Sequence, residues 1–324
     1  MDLILRRHLE DKLNRRFGSH AVLYSKYTPV IPKSAEREYK RLTNAYMGIL
    51  REELEAELPK LQEAYRHEKK AEAQEIRRLD STDTPHSTTE LMLVIAAVFT
   101  EIENRLISRA DGFGLRRRLE NLAHLTRKLT VKEWKKAIKA TLAIDIREDY
   151  YLGDFYIEQL MAWVQENVDL IKTIPHDTLG KMRDIVYDGY VSGKSTTEIV
   201  REIRRVYNVD KRRAQFIAID QIAKLNAAIQ KAQQQDAGIE KYIWSTVEDE
   251  RVRNCHKSLN GKQYSWDQPP EMWYQTKRGI VYTGRRCHPG QDYRCRCIGR
   301  PVFNRETLDL PIDEDALRMS VTIK

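Results

Sequence analysis

The sequence predicts an α+β fold in which a mainly α-helical N-terminal region is followed by a small α+β C-terminal domain with a possible zinc site. Three observations predict this fold. The first 235 residues carry helical spacing of apolar residues, the later residues contain short β-branched and aromatic runs, and all four cysteines lie in the later part. The 324 residues exceed the size at which one core usually stops growing, so at least two domains are expected.

The first predicted domain is a charged helical arm over residues 1–80. Its apolar residues are mostly three and four apart, which is typical of an amphipathic helix, and they include Leu42, Tyr46, Ile49, Leu50 and Leu54. Such a stripe fits a helix that packs within its own domain, and it also fits a helix that binds a groove in a partner protein. Proline lacks a backbone N–H, so Pro59 is expected to kink or split this helix.

A helical domain is predicted over residues 88–235, after a linker rich in Ser, Thr, Asp and Pro, "STDTPHSTTE". Reciprocal capping boxes predict three helix starts, at Ser87–Glu90, Thr130–Glu133 and Ser195–Glu198. A long helix after Asp210 is expected to end at Gly238. The longest apolar run has nine residues, far fewer than the roughly 20 that span a bilayer, so we expect a core helix and no membrane partner.

The run "GYVSGKST" superficially suggests a phosphate-binding loop. That loop needs a glycine five residues before its Gly-Lys pair and a preceding β-strand, so that backbone N–H groups can surround the phosphates. Asp188 occupies the glycine position, and the preceding residues have a helical pattern. We therefore interpret the run as a connection between two helices, with Gly193 at the corner.

After Gly238 the pattern changes to short runs typical of strands, "KYIWSTV", "GIVYTG" and "IGRPVF". These runs define the small α+β domain, residues 236–310, which is followed by a tail, residues 311–324. Between Arg251 and Arg305 there are twelve Lys or Arg and three acids, a balance of +9, whereas the whole chain carries +8. This basic stretch predicts a polyanionic neighbour.

The same stretch holds six residues whose side chains commonly bind metals. They are confined to 43 positions and comprise Cys255, His256, Cys287, His288, Cys295 and Cys297. Zn²⁺ takes four such ligands, and a structural zinc would suit a domain with a thin core. Free thiols and a disulfide remain alternatives, although Cys295 and Cys297 are too close to pair comfortably with each other.

Two metal-dependent enzymes are weighed against these residues. A zinc deaminase needs a Glu two residues after its His and a later Cys-x-x-Cys pair, and neither is present around His256. A metal-dependent nuclease or a toxin-like enzyme acting on nucleic acid remains the alternative function, although no closely spaced carboxylate pair accompanies the histidines. We expect no enzymatic activity.

From about Leu179 to Phe303, over a third of the chain, the sequence resembles the phage Mu F-like head morphogenesis family. Four features carry the resemblance: a helix pair with a Gly-Lys-Ser corner, a long helix ending at Gly238, a Trp-Ser-x-x-x-Asp-x-Arg-x-Arg-x-x-His block and a Cys-Arg-Cys terminus. The positions that match are Trp244, Asp249, Arg251, Arg253, His256, Leu259, Gly261, His288, Pro289, Cys295, Arg296 and Cys297. Asp220 and Gln221 stand where the family usually has Thr-Glu, and Cys255 and Cys287 are additional thiols.

The resemblance implies a minor capsid protein of a bacteriophage, located inside the head of the virion and, during assembly, in the cytoplasm of the bacterial host. It implies contact with the portal protein, the major capsid protein or a scaffolding protein. A zinc role for the His and Cys positions is also implied. The helical part is expected to dock on the particle.

The basic C-terminal domain is expected to face double-stranded phage DNA without reading its sequence, because arginine forks bind phosphate. The candidate DNA-binding residues are Arg278, Arg285, Arg286, Arg294 and Arg300. The alternative is a solvated basic face, or arginines held by the protein's own acids and carbonyls, as we expect for Arg251 and Arg253 near Asp249.

Overall fold

A computed structural model describes residues 1–78 and 88–322 and confirms the predicted fold class. The described helices are α1 (Leu3–Phe17), α2 (Lys33–Arg78), α3 (Thr88–Gly112), α4 (Leu115–Leu142), α5 (Asp154–Val191), α6 (Thr196–Asp236), α7 (Asn254–Leu259) and α8 (Glu314–Thr322). The strands are β1 (Val22–Tyr24), β2 (Lys241–Ser245), β3 (Gln263–Ser265), β4 (Glu271–Thr276), β5 (Gly279–Arg286) and β6 (Ile298–Asn304).

The chain divides into two compact units, each assembled from separated stretches. Unit 1 comprises Met1–Arg37, Glu120–Trp163 and Ile219–Lys324, and unit 2 comprises Glu38–Leu119 and Val164–Ala218. The predicted domains, by contrast, follow one another along the chain, and their boundaries stay predictions. Among the described helices, none combines the length and the apolar character that a membrane span requires.

Unit 2 is helical, and the amphipathic stripe of α2 forms part of its core. Leu42, Tyr46, Ile49, Leu50 and Leu54 are all at most 7% exposed. The interpretation of this stripe as the ligand of a partner's groove is therefore wrong, because its apolar surface already packs within the protein.

The helix α2 continues through Pro59 and is not split there. The helix α3 contains the predicted apolar run, with Leu91, Ile95 and Phe99 buried, as expected of a core helix. Buried Glu53 and Glu57 on α2 bind the guanidinium groups of Arg109 and Arg105 on α3, at 2.7 and 2.9 Å.

Two of the predicted helix starts can be compared with the structure, since Ser87 lies outside the described residues. The box at Ser195 is confirmed: the Ser195 N–H donates to Glu198 Oε2 at 2.8 Å and the Glu198 N–H donates to Ser195 Oγ at 3.3 Å. The box at Thr130 is wrong, because Thr130 lies inside α4. Its hydroxyl donates to the carbonyl of Thr126, four residues earlier, at 2.9 Å. Serine and threonine side chains can make this hydrogen bond inside a helix instead of capping its start.

The predicted helix after Asp210 is longer than expected, because α6 already begins at Thr196. The corner before it is confirmed: α5 ends at Val191, and Gly193 has a φ of +71°. The sequence from Gly193 to Thr196 is therefore a turn between helices, as predicted, and not a loop after a strand.

Unit 1 is built around a four-stranded antiparallel sheet with the order β1-β6-β2-β3. Trp134 of α4 stacks on Phe303 of β6, and the Trp134 indole donates to the Tyr151 hydroxyl at 2.8 Å. The three predicted strand runs all form strands, whereas β1, β3 and β4 were not predicted. The predicted tail contains α8, where Ser320 contacts Lys12 of α1 at 2.9 Å.

The end of α6 depends on Gly238, as predicted. Its φ is +70°, and a Cβ at this position would lie 1.8 Å from the Thr307 carbonyl oxygen. Gly261 has a similar φ, +77°, but open space around it. We expect Gly238→Ala to lower the free energy of unfolding by about 3 kcal/mol or more, and Gly261→Ala by only about 1 kcal/mol.

Urea unfolding followed by circular dichroism measures both costs. Because both glycines belong to unit 1 and share the left-handed backbone conformation, the difference between them isolates the contact with Thr307. Equal destabilisation by the two substitutions would contradict a close approach at Gly238.

Candidate metal centre

The candidate centre lies in a small aromatic cluster of unit 1, where α7 and the segment before β6 meet the sheet. Tyr242 and Trp244 on β2 are fully buried, and Trp266 follows β3. The Trp244 ring lies 5.5 Å from the imidazole of His256 on α7. The aromatic wall therefore fixes one side of the histidine and excludes water from it.

Three of the six predicted ligands come together. His256, Cys295 and Cys297 are buried, and their ligand atoms all lie within 4.8 Å of one another. His256 Nδ1 is 3.6 Å from Cys295 Sγ and 3.7 Å from Cys297 Sγ. One imidazole nitrogen and two sulfurs form a donor set that suits Zn²⁺.

Backbone groups position Cys295. The N–H groups of Gly290 and Cys297 donate to Cys295 Sγ at 3.3 and 3.4 Å. Gly290 has a φ of +83°, and a Cβ there would lie 2.6 Å from the Ala227 methyl group on α6. Glycine thus allows the turn before Cys295 to pass close to the long helix.

Asp292 holds the opposite edge of the histidine. Its Oδ2 lies 3.3 Å from His256 Nε2 and 2.6 Å from Arg253 Nη1, and its Oδ1 lies 3.1 Å from Arg285 Nη1. The Tyr293 N–H donates to Oδ1 at 2.9 Å. A carboxylate on one imidazole nitrogen leaves the other directed at the two sulfurs, which is how proteins commonly orient a metal-binding histidine.

The electrostatics of this group are strongly coupled. Burial lowers the pKa of His256, but Asp292 and Cys295 raise it, and the result is a pKa of about 9. Hydrogen bonding from Cys297 and the neighbouring His256 hold the pKa of Cys295 well below its usual range. The Cys295 thiolate, together with burial, raises the pKa of Cys297. Hydrogen bonding to His256, with Arg253 and Arg285 nearby, keeps the pKa of Asp292 low.

The other three predicted ligands do not join the group of three. Cys255 is buried and accepts the Trp273 N–H at 3.4 Å, and Cys287 is half-buried. Burial raises the pKa of both thiols. All four cysteines are free thiols.

His288 has its own set of partners. Its Nδ1 lies 3.0 Å from the Tyr242 hydroxyl, its Nε2 lies 3.4 Å from Lys231 Nζ, and its ring lies 4.9 Å from that of Trp266. Burial and the Lys231 charge lower its pKa to about 4, so this side chain is neutral near pH 7. Its contacts are those of a core histidine.

The predicted DNA-binding arginines differ in their surroundings. Arg278 is exposed at the turn between β4 and β5, Arg294 is exposed before Cys295, and Arg300 is half-buried on β6. Arg285 pairs with Asp292, and Arg286 Nη1 donates to the Pro269 carbonyl at 3.2 Å. Protein acceptors therefore already hold Arg285 and Arg286.

The expectation that an acid and a carbonyl of the protein hold Arg253 is confirmed, but the acid is Asp292 and not Asp249. Arg253 pairs with Asp292 and its Nη2 donates to the Tyr293 carbonyl at 2.7 Å, so Asp249 does not hold it. Asp249 instead accepts the Arg251 N–H at 3.1 Å and pairs with the guanidinium of Arg296. Both acids bind basic residues of the same segment.

Sequence reasoning missed Asp292 as a member of the site. The signal for it was present, since Asp292 is one of only three acids between Arg251 and Arg305 and lies three residues before Cys295. An acidic residue in a strongly basic stretch, close in sequence to candidate metal ligands, is a candidate to orient a metal-binding histidine. Asp292 and His256 are 36 residues apart in sequence, so their pairing could not be predicted from local spacing.

These features define a class of protein with long helices and a small antiparallel sheet, in which a buried His-Cys-Cys group lies beside a carboxylate. Residues 180–299 match the sequence model of the family described as Phage Mu protein F like protein. The resemblance predicted from the sequence is thereby confirmed over this segment, which contains α6 and the whole candidate centre.

Among curated proteins, the chain is similar to an uncharacterized protein of Haemophilus influenzae (strain ATCC 51907 / DSM 11121 / KW20 / Rd). It is 34% identical over 147 residues, which are 45% of this chain. The chain spans only 30% of the length of that relative. No solved structure matches the chain.

Proposed function

We propose that this protein is a minor capsid protein of a bacteriophage that acts in head morphogenesis, on the inside of the head and in contact with the portal or capsid. The observation that carries the proposal is the match of residues 180–299 to the phage Mu protein F like family. That segment contains His256, Cys295 and Cys297, so the part of the chain with a family likeness is also the part organised around the candidate metal centre.

Incorporation into particles tests this function. Heads are purified from a phage strain that expresses the full chain with a small epitope tag, and their proteins are quantified by mass spectrometry. We expect the chain in the heads at far fewer copies than the major capsid protein, and we expect it to resist protease until the heads are opened. Its absence from heads, or digestion in intact heads, would contradict the proposal.

The full chain is the right material for this test. A fragment that starts at Gly238 would lack β1, which pairs with β6 through Val22 to Tyr24. It would also lack Trp134, which packs on Phe303. Such a fragment would expose core surface of unit 1, and its failure to enter heads would be uninformative about docking.

We propose further that His256, Cys295 and Cys297 bind one Zn²⁺ in a structural role. The donor atoms suit zinc, and Asp292 supplies the second contact that a zinc-binding imidazole usually has. The ligand residues are each at most 4% exposed. Three protein ligands leave one tetrahedral position for a water or a further group, which is also the pattern of a catalytic zinc. A hydrolytic zinc needs access for substrate as well, so the burial of all three ligands favours the structural role over the nuclease alternative.

DNA contact is proposed for the exposed turn between β4 and β5. Lys277 and Arg278 are exposed there, and the exposed Tyr274 and Tyr282 flank them. Lys and Arg bind phosphates without reading bases, so the binding should be independent of sequence. Arg285 and Arg286 contribute less in this proposal, because Asp292 and the Pro269 carbonyl already engage them.

Binding of a fluorescent duplex by the full chain, measured by anisotropy over a range of salt concentrations, tests this surface. The double substitution Lys277→Ala and Arg278→Ala should weaken binding and flatten the log-log salt slope by about 1 to 2 units, because each phosphate contact contributes about 0.9. The single change Arg285→Ala serves as the comparison and should alter the slope by less. An unchanged slope in the double variant would remove this turn from the DNA surface.

A further inference from the structure

Unit 2 contains a concave basic surface that the proposed head function does not use. It is a pocket of about 340 Å³ between α2 and the first turns of α6. Its polar lining, which we call the basic groove, consists of Gln62, Arg66, Thr196, Thr197, Arg201 and Arg204. On α2, Gln62 and Arg66 are four positions apart. On α6, the lining residues at positions 196, 197, 201 and 204 follow helical spacing. Each helix therefore presents one face to the groove.

The groove concentrates positive charge without an acid in its lining. Arg66, Arg201 and Arg204 are exposed, and no ion pair joins any of them to an acid whose side chain the structure describes, a set that leaves out the side chains of residues 72, 73 and 75–90. Three guanidinium groups around one pocket repel one another, and an anion in the pocket relieves that repulsion.

On α6, the two acids nearest in sequence to Arg201 and Arg204 have other hydrogen-bond or ion-pair partners. Glu198 accepts hydrogen bonds from the Ser195 N–H and hydroxyl at 2.8 and 2.7 Å. Glu202 pairs with Lys194 at 2.9 Å. Lys194 therefore does not act as the lysine of a phosphate-binding loop. Hydrogen bonds from Ser195 lower the pKa of Glu198, with the Arg201 charge as a smaller cause, so Glu198 offsets part of the Arg201 charge. Neither Glu198 nor Glu63 belongs to the lining of the groove.

The donor set of the groove matches phosphate. Arginine binds phosphate oxygens with two parallel hydrogen bonds, and threonine hydroxyls supply further donors. The volume is that of a pocket for a small molecule and is larger than a single phosphate requires. The N-terminus of α6 lies at the same end, and the positive end of the helix dipole favours an anion there.

We propose that the basic groove binds a phosphate group. Two sources share this chemistry, the backbone of a nucleic acid and a small phosphorylated molecule. This site lies in unit 2, and the turn proposed for DNA contact lies in unit 1. The phosphate site of the basic groove can therefore be tested independently of the DNA contact at Lys277 and Arg278.

Titration calorimetry of the full chain tests the groove with inorganic pyrophosphate as one probe and a 20-base-pair duplex as the other. We expect pyrophosphate to bind, and we expect the double substitution Arg201→Ala and Arg204→Ala to weaken it at least 10-fold. Arg204→Lys keeps the charge but removes the fork, and should give an intermediate loss. Arg117→Ala, an exposed arginine of α4 in the same unit, is the matched control and should change nothing.

The two probes separate the sources. If duplex affinity falls together with pyrophosphate affinity and the salt slope drops by about 2 units, the groove binds a nucleic acid backbone. If only pyrophosphate affinity falls, the groove binds a small phosphorylated molecule. No pyrophosphate binding by the unaltered chain, or equal binding by the double variant and the unaltered chain, would overturn the proposal, whatever the result for Lys277 and Arg278.

Discussion

The chain purified without chelator should contain about one zinc, and Cys295→Ser or Cys297→Ser should reduce the content to below about 0.2 per chain. Both sulfurs lie within 3.7 Å of His256 Nδ1, and a serine hydroxyl does not replace a thiolate on zinc. Loss of the metal should lower the free energy of unfolding of unit 1 by on the order of 3–5 kcal/mol. This is less than the ~10–16 kcal/mol of isolated zinc fingers, because unit 1 also has a hydrophobic core.

Elemental analysis and thermal unfolding with and without a strong chelator measure these effects. Cys287→Ser is the matched control: this thiol is half-buried in the same segment but lies outside the group of three, so the variant should keep its zinc. Loss of zinc in Cys287→Ser, with retention in Cys297→Ser, would show that the ligands are different ones.

The second large effect is expected at Asp292. Asp292→Asn keeps the size of the side chain and removes the charge that holds His256, Arg253 and Arg285. Zinc affinity should fall about 10–100-fold, as for other carboxylates that orient a metal-bound histidine. Stability should fall by about 2 kcal/mol, less than for a fully buried ion pair, because the two arginines are about half-exposed.

Competition with a chromophoric chelator measures the affinity and so separates a positioning role from a purely structural one. A purely structural Asp292 would lower stability while leaving the zinc affinity of the folded protein unchanged. Asp267→Asn, an exposed acid of the same basic stretch, is the control and should alter neither quantity.

The pH dependence of stability provides a further check on Asp292. Its pKa is held below the usual value in the folded chain, so its contribution is present above about pH 4 and is lost as the pH falls through the lowered pKa. The unaltered chain should therefore lose stability more steeply than Asp292→Asn on the acid side. If the free energy of unfolding falls equally steeply with decreasing pH in the unaltered chain and in Asp292→Asn, this role of Asp292 is contradicted.

Much of the fold could be predicted from local pattern. The change from helix to short strands after Gly238, the capping box at Ser195 and the corner at Gly193 follow from residues close to one another in sequence, and the structure contains all of them. The box at Thr130 failed because the same spacing also occurs inside a helix, where the hydroxyl bonds back to a carbonyl of the preceding turn.

The remaining features depend on contacts between distant residues. The pairing of β1 with β6 joins positions about 280 apart, and a three-residue strand carries almost no signal of its own. The candidate metal centre also depends on contacts between residues that are distant in sequence. Clustering in sequence identified six candidate ligands, but only the packing of α7 against the segment before β6 selects His256, Cys295 and Cys297 and adds Asp292.

X-ray absorption at the zinc edge of the full chain tests the metal centre most directly. With His256, Cys295 and Cys297 as ligands, we predict two sulfur neighbours at about 2.3 Å and at least one nitrogen neighbour at about 2.0–2.1 Å. His256→Ala should remove the nitrogen signal or the zinc itself. Four sulfur neighbours would require Cys255 and Cys287 as ligands, and that result, or a chain that binds no zinc, would contradict the centre proposed for residues 256–297.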